Sequence, residues 1–249
     1  MRTLSAAELL AAWDRGCLER PLDRPLALLA VACGVPVPSL AAASLGRREA
    51  MLLALRERTF GSWLDGLAIC PGCADELEVS FAVDDVLVPG GAGADAPGAR
   101  RVADGGYELE VRMPDSRDAA AAAAAAAGSA DGPAIARSVL LDRCVRASGP
   151  DGAPVPAAEL PAAVVDAAVA CMADADPQAD VRLAVTCPSC GTAWEVPFDA
   201  GSFLWSEVEA WARRTLLEVH QLAAAYGWSE AEVLALGPRR RQAYLELTG

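Results

Sequence analysis

The chain contains neither lysine nor asparagine, and its one histidine is His220. All 21 basic residues are therefore arginine, which reads as the codon bias of a GC-rich genome and not as selection for guanidinium forks. A single histidine leaves little from which to build a Ser-His-Asp triad or a histidine-ligated protease site. The glycines at 90–93 follow a proline and open no helix, so they form no phosphate-cradling loop. Aromatics make up only 5% of the residues, which makes any clustering of them informative. No apolar run reaches the roughly 18 to 20 residues that span a bilayer, so membrane insertion is not expected. The opening MRTLSAAELLAAWDRG holds acidic residues and lacks the apolar core of a signal peptide, so the expected compartment is the cytoplasm. Positive charge is short as well. The formal net charge is −13, so the chain lacks the counterion-release drive of nucleic-acid binding. No catalytic constellation emerges, and no small-molecule substrate is expected.

What the chain does have is cysteine in a pattern. Residues 67–81 read LAICPGCADELEVSF and residues 183–198 read LAVTCPSCGTAWEVPF. Setting Cys70 on Cys187 brings Pro71 onto Pro188, Cys73 onto Cys190, Glu78 onto Glu195, Val79 onto Val196 and Phe81 onto Phe198. This is an internal half-repeat with widely separated copies. One CxxC turn supplies two thiolates, half of a tetrahedral shell; two such turns complete it. In a cytoplasmic protein, paired thiols mean metal or redox chemistry more often than structural disulfides. Cys70, Cys73, Cys187 and Cys190 are thus expected to bind one structural Zn²⁺, each pair at the tip of a β-hairpin. A redox CxxC needs only one pair and opens a helix after a strand, which neither pair does. Cys17, Cys33, Cys144 and Cys171 stand alone in apolar segments and read as small buried hydrophobes.

The pattern along the chain predicts an α+β fold, mostly helical, with a small zinc ribbon split by a long helical insertion. An N-terminal helical segment is expected over 1–62, with Ser5 and Glu8 as a capping box for Ala6–Trp13 and Ser44 capping Leu45–Phe60. The first ribbon half follows at 63–83. The insertion, 84–180, is Ala-rich and partly flexible. It holds glycine- and proline-rich loops at 89–103 and 147–161, a strand at Tyr107–Met113 and helices at Ala119–Ala127, Pro133–Arg146 and Ala162–Ala173. The second ribbon half is expected at 181–200.

A C-terminal docking region, 201–249, completes the chain. Leu204, Val208, Trp211, Thr215, Val219, Leu222 and Tyr226 recur at helical spacing on one long helix. Glu209 with Arg213, and Arg214 with Glu218, are expected surface pairs. Ser229 and Glu232 form a second capping box. Trp205, Trp211 and Trp228, with Arg239, Arg240 and Arg241, are the candidate partner-binding residues, because tryptophan anchors interfaces and the arginines suit an acidic partner. The bland reading of the same residues is a helical core and a solvated face.

RERTFGSWLDGLAICPGC, RLAVTCPSCGTAWEVPFD and the segment from SFLWSEVEAWARR through YGWSEAEVLAL to RQAYLEL together resemble the baseplate hub assembly chaperones of T-even-type contractile phages. They look closer still to bacterial relatives of those chaperones in phage-tail-like contractile injection gene clusters. The resemblance covers residues 45–83 and 181–247 and leaves the Ala-rich insertion unmatched. It implies a non-enzymatic assembly factor, with a baseplate hub or tape-measure-like protein as partner and no catalytic residue. The alternatives are a zinc-ribbon nucleic-acid or transcription adaptor, which the acidic charge disfavours, and a thiol-redox chaperone.

Overall fold

The computed structural model describes residues 1–89 and 98–248. Helices hold 55% and strands 18% of the described residues, with the strands confined to small sheets. The fold is therefore α+β and mostly helical. In chain order the elements are α1 (Ala6–Cys17), α2 (Arg24–Cys33), α3 (Val37–Ala41), α4 (Leu45–Phe60), β1 (Trp63–Ile69), β2 (Glu76–Ala82) and α5 (Val83–Val86). Then come β3 (Arg100–Asp104), β4 (Tyr107–Val111), α6 (Ser116–Ala126), α7 (Gly132–Cys144), β5 (Val145–Ser148), β6 (Pro154–Val155) and α8 (Ala162–Ala175). The last elements are β7 (Val181–Thr186), β8 (Ala193–Phe198), α9 (Ala200–Tyr226), α10 (Glu230–Ala235) and α11 (Pro238–Glu246). No helix among the described residues is long and apolar enough to cross a membrane.

The chain divides into two compact units, one made of residues 1–37 with 200–249 and the other of residues 38–199. In the first, the capping box closes as expected: Ser5 Oγ accepts from the Glu8 N–H, and the Glu8 carboxylate accepts from the Ser5 N–H. On α9 the buried stripe is Leu204, Trp205, Val208, Ala212, Thr215, Val219 and Leu222. It takes Ala212 in place of the expected Trp211, which is half-buried, and adds Trp205, while Tyr226 at the helix end is exposed. Glu209 pairs with Arg213 at 2.8 Å as expected. Glu218 instead takes Arg241, from α11, at 2.6 Å. A compact apolar knot of Val219, Leu222 and Val233 closes the α9–α10 corner, with Trp228 and Tyr244 packed on it.

The second unit holds every strand found among the described residues. β1 and β2 form one antiparallel hairpin, β7 and β8 another. Between them in sequence lies a four-stranded antiparallel sheet in the order β3-β4-β5-β6. The insertion carries its three expected helices and also this sheet, most of which the sequence pattern does not announce. Residues 100–103, expected as loop, pair with β4 together with Asp104, while residues 90–97 of that expected loop lie outside the described residues. Residues 145–146, expected as helix, and 147–148, expected as loop, together form β5. Leu109, Val111, Val145 and Ala147 on one face of the sheet pack on Val164 and Ala168 of α8.

The alanine tract of α6 has little side chain to bury, and polar contacts fix its start. Asp115 caps it, accepting from the N–H groups of Arg117 and Asp118. Asp118, fully buried, accepts from Arg112 at 2.5 and 2.9 Å, from Arg143 at 2.7 Å and from the Asp115 N–H at 3.0 Å. Elsewhere the segment after α8 ties the halves of this unit together. Asp176 Oδ2 accepts from the Gly46 N–H at the start of α4, at 2.9 Å. Gln178, buried, donates to the Val86 carbonyl and accepts from the Val88 N–H.

Candidate metal centre

Each CxxC lies in the turn of its hairpin, between strands whose last pairs are Ile69 with Glu76 and Thr186 with Ala193. The two turns close alike. The Cys70 N–H donates to the Asp75 carbonyl at 2.9 Å, and the Cys187 N–H to the Thr192 carbonyl at 2.9 Å. The Ala74 N–H returns to the Cys70 carbonyl, and the Gly191 N–H to the Cys187 carbonyl. Both turns need a left-handed residue after the second cysteine. Gly191 supplies it at φ +74°, and Ala74 at φ +60° is the one non-glycine with positive φ among the described residues.

The two hairpins bring all four sulfurs together, every pair within 4.8 Å. Cys70 Sγ lies 3.5 Å from Cys190 Sγ, and Cys73 Sγ lies 3.7 Å from Cys187 Sγ. Under the repeat alignment these two contacts are the same contact seen from either copy. The site is thus built on an approximate two-fold relation, and its surroundings follow suit. Ser189 Oγ donates to Asp75 Oδ2 at 2.5 Å. In the mirrored position, a Cβ on Gly72 would meet Thr192 Oγ1 at 2.5 Å, so the glycine permits the approach. Phe81 and Phe198, matched in the repeat, meet edge to face at 5.4 Å. Each pair has one inner and one outer sulfur: Cys70 and Cys187 are buried, Cys73 and Cys190 exposed.

The donor chemistry suits a soft cation. Thr192, through its hydroxyl at 3.2 Å and its backbone N–H, holds the Cys190 thiol down to about 6, and the neighbouring sulfurs of Cys70 and Cys73 add to this. At Cys73 the backbone N–H of Asp75 favours the thiolate, but the sulfurs of Cys190, Cys70 and Cys187, with some loss of solvation, outweigh it and push the thiol up to about 12. Crowding therefore discourages a second thiolate beside the first. A divalent cation removes that obstacle by supplying the missing positive charge. None of the eight cysteines is in a disulfide. The four cysteines lie close enough to bind one metal ion.

Comparison with known proteins adds nothing to this geometry. No family model, no curated protein and no solved structure matches the chain.

The other candidates fare differently. Trp205 is a core residue: 7% exposed, it fills the space above Gly16, where a Cβ would lie 2.5 Å from its ring, and carries the Arg24 guanidinium 5.1 Å from the ring centroid. Arg241 is likewise taken up inside its unit, 6% exposed and paired with Glu218. A partner cannot reach either without unpacking the unit, so both leave the docking set. Trp228 is half-buried, stacked on Tyr226 at 4.7 Å and edge-on to Tyr244 at 4.8 Å. Trp211 is half-buried, and Arg239 and Arg240 are exposed. His220 is exposed. Among the lone cysteines only Cys144 is buried; Cys17 is exposed and Cys33 and Cys171 are half-buried. Ser189, Asp75, Gly72 and Thr192 were not singled out from sequence. The repeat alignment held their signal, since it sets Gly72 on Ser189 and Asp75 on Thr192.

Proposed function

We propose that Cys70, Cys73, Cys187 and Cys190 hold one structural Zn²⁺, and that the chain is a non-enzymatic assembly factor clamped by it. Zinc–thiolate bonds of about 2.3 Å in a tetrahedron put sulfurs about 3.8 Å apart. The observed 3.5 and 3.7 Å contacts lie near that spacing. Four protein thiolates saturate such an ion and leave no position for water or substrate, so the ion serves structure. The energetics favour the clamp. Closing a loop of about 100 residues costs about 5 kcal/mol of chain entropy. Binding a structural zinc contributes on the order of 10 kcal/mol.

The particle we propose for it is the baseplate hub of a contractile phage-tail-like injection system. There the chain would act as chaperone or minor component, in the cytoplasm, on a hub or tape-measure-like protein. The observation that carries this reading is the sulfur cluster: its two turns sit within the two sequence blocks that resemble hub assembly chaperones. The second of these turns leads through β8 directly into α9, the helix of the third resembling block. Trp211, Trp228, Arg239 and Arg240 remain in the proposed docking set of the C-terminal docking region.

Co-expression with the hub and tape-measure-like proteins of a contractile cluster, followed by affinity capture, tests the assembly role. Capture of one of them by the wild-type chain and its loss in Cys70→Ser/Cys187→Ser supports the reading; capture of neither rejects it. A salt-sensitive gel shift with DNA or RNA would favour the adaptor reading instead. Thiols that titrate as reversible disulfides, without bound metal, would favour the redox chaperone.

A further inference from the structure

The two hairpins of the metal centre are built alike, yet their outward faces differ. On β1 the outward residues are Trp63, Asp65, Leu67 and Ile69. Trp63, Leu67 and Ile69 are 63%, 67% and 70% exposed. The matching outward row on β7 carries Arg182, Ala184 and Thr186. The second hairpin closes the same turn with the same hydrogen bonds and offers the same two thiols. The apolar row on the first hairpin is thus not a requirement of the turn, the strand pairing or the sulfur cluster. Three large apolar side chains in line on a two-stranded sheet form the kind of exposed patch that marks an interaction site.

Charge narrows what covers it. In register, Ile69 stands opposite Glu76, Leu67 opposite Glu78, and Asp65 opposite Ser80. Asp65 accepts a hydrogen bond from the Ser80 hydroxyl, while Glu76 and Glu78, both exposed, pair with no cation among the described residues. No basic residue lies on this face of the hairpin. A second copy of the chain docked face to face would set these carboxylates against their own kind, which is destabilising. The face suits a segment in which apolar side chains cover Trp63, Leu67 and Ile69 while arginine or lysine meets Glu76 and Glu78.

We propose that the outward face of the β1–β2 hairpin is a docking surface for a basic, amphipathic segment of another protein. Trp63, Leu67 and Ile69 are its apolar anchors, and Glu76 and Glu78 set its charge preference. The face serves such a partner whether or not the chain belongs to a contractile particle, and it belongs to the second unit, not to the unit that carries Trp228.

Site-specific photo-cross-linking of the full chain in its own host cells tests this. A benzoylphenylalanine replaces Leu67 in one variant and, as the twin-hairpin control, Ala184 in another. The expected result is a cross-link from position 67, and none from 184, to a different protein. The attached peptide, read by mass spectrometry, carries arginine or lysine among apolar residues. Adding Glu76→Arg/Glu78→Arg lowers the cross-link yield about tenfold or more, while native mass spectrometry still finds one metal ion per chain. If that variant loses its metal, the milder Glu76→Gln/Glu78→Gln takes its place and must still lower the yield several-fold. A cross-link confined to the same chain, or made to a second copy, overturns the proposal. So does an acidic or uncharged attached peptide, an equal yield from position 184, insensitivity to the charge changes, or no cross-link at all.

Discussion

At the scale of single residues, the sulfur cluster was the legible part and its support was not. Two CxxC motifs with matched flanks name all four cysteines of the cluster, because thiol pairs in tight turns are a local, sequence-readable device. The contacts of Ser189 with Asp75 and of Gly72 with Thr192 cross between turns that lie far apart in the chain, so no local pattern announces them. Trp205 shows the same limit. Helical spacing puts it beside the expected stripe, but the bare surface of Gly16 decides that it is buried. The left-handed position after the second cysteine allows a sharp test. Gly191→Ala should cost about 1 kcal/mol by denaturant unfolding, because a Cβ there crowds its own backbone. It should leave the metal content at one ion per chain, since Ala74 already occupies the equivalent place at φ +60°. Cys144 gives a second prediction. Burial, reinforced by the negative charge of Asp118, pushes its thiol up to about 12. It should stay unlabelled by iodoacetamide at neutral pH in the folded chain, whereas exposed Cys17 reacts.

At the scale of elements, the helices were legible and most of the insertion's sheet was not. Capping boxes and apolar periodicity mark α1, α4, α9 and α10 because those signals are local. β3 reads Arg-Arg-Val-Ala-Asp, with one β-branched residue, and becomes a strand only because β4 pairs with it. β5 starts where α7 stops, so its four residues dissolve into a helix prediction and a loop prediction. The start of α6 carries a pH prediction. Burial would raise the carboxyl of Asp118, but hydrogen bonds from Arg112, the Asp115 N–H and Arg143, with the charge of Arg112, hold it well below the usual carboxylate range. A depressed folded-state value means that the stabilisation is fully present above the unfolded value of about 3.9 and is lost as pH falls below it. Asp118→Asn should therefore lower stability at neutral pH by about 1–3 kcal/mol. It should also flatten the loss of stability on acidification below about pH 4, measured by urea titrations across pH.

At the scale of the whole molecule, the chain is two units whose sequence segments interleave, and the second unit holds all four sulfurs. The sequence pattern does not show that residues 1–37 pack with residues 200–249, since that depends on which helix faces match. A metal ion bound by those sulfurs would act on one unit directly. Chelation should raise amide exchange in residues 63–82 and 181–198 many-fold, because each two-stranded hairpin is marginal by itself. The buried stripe of α9 should keep most of its protection, which hydrogen-exchange mass spectrometry resolves. The most direct measurement is X-ray absorption at the zinc edge on protein purified without chelator or added metal. The account predicts one zinc per chain with four sulfur neighbours at about 2.3 Å and no nitrogen or oxygen in the first shell. A folded, metal-free chain, or an ion ligated by fewer than four sulfurs, would contradict it.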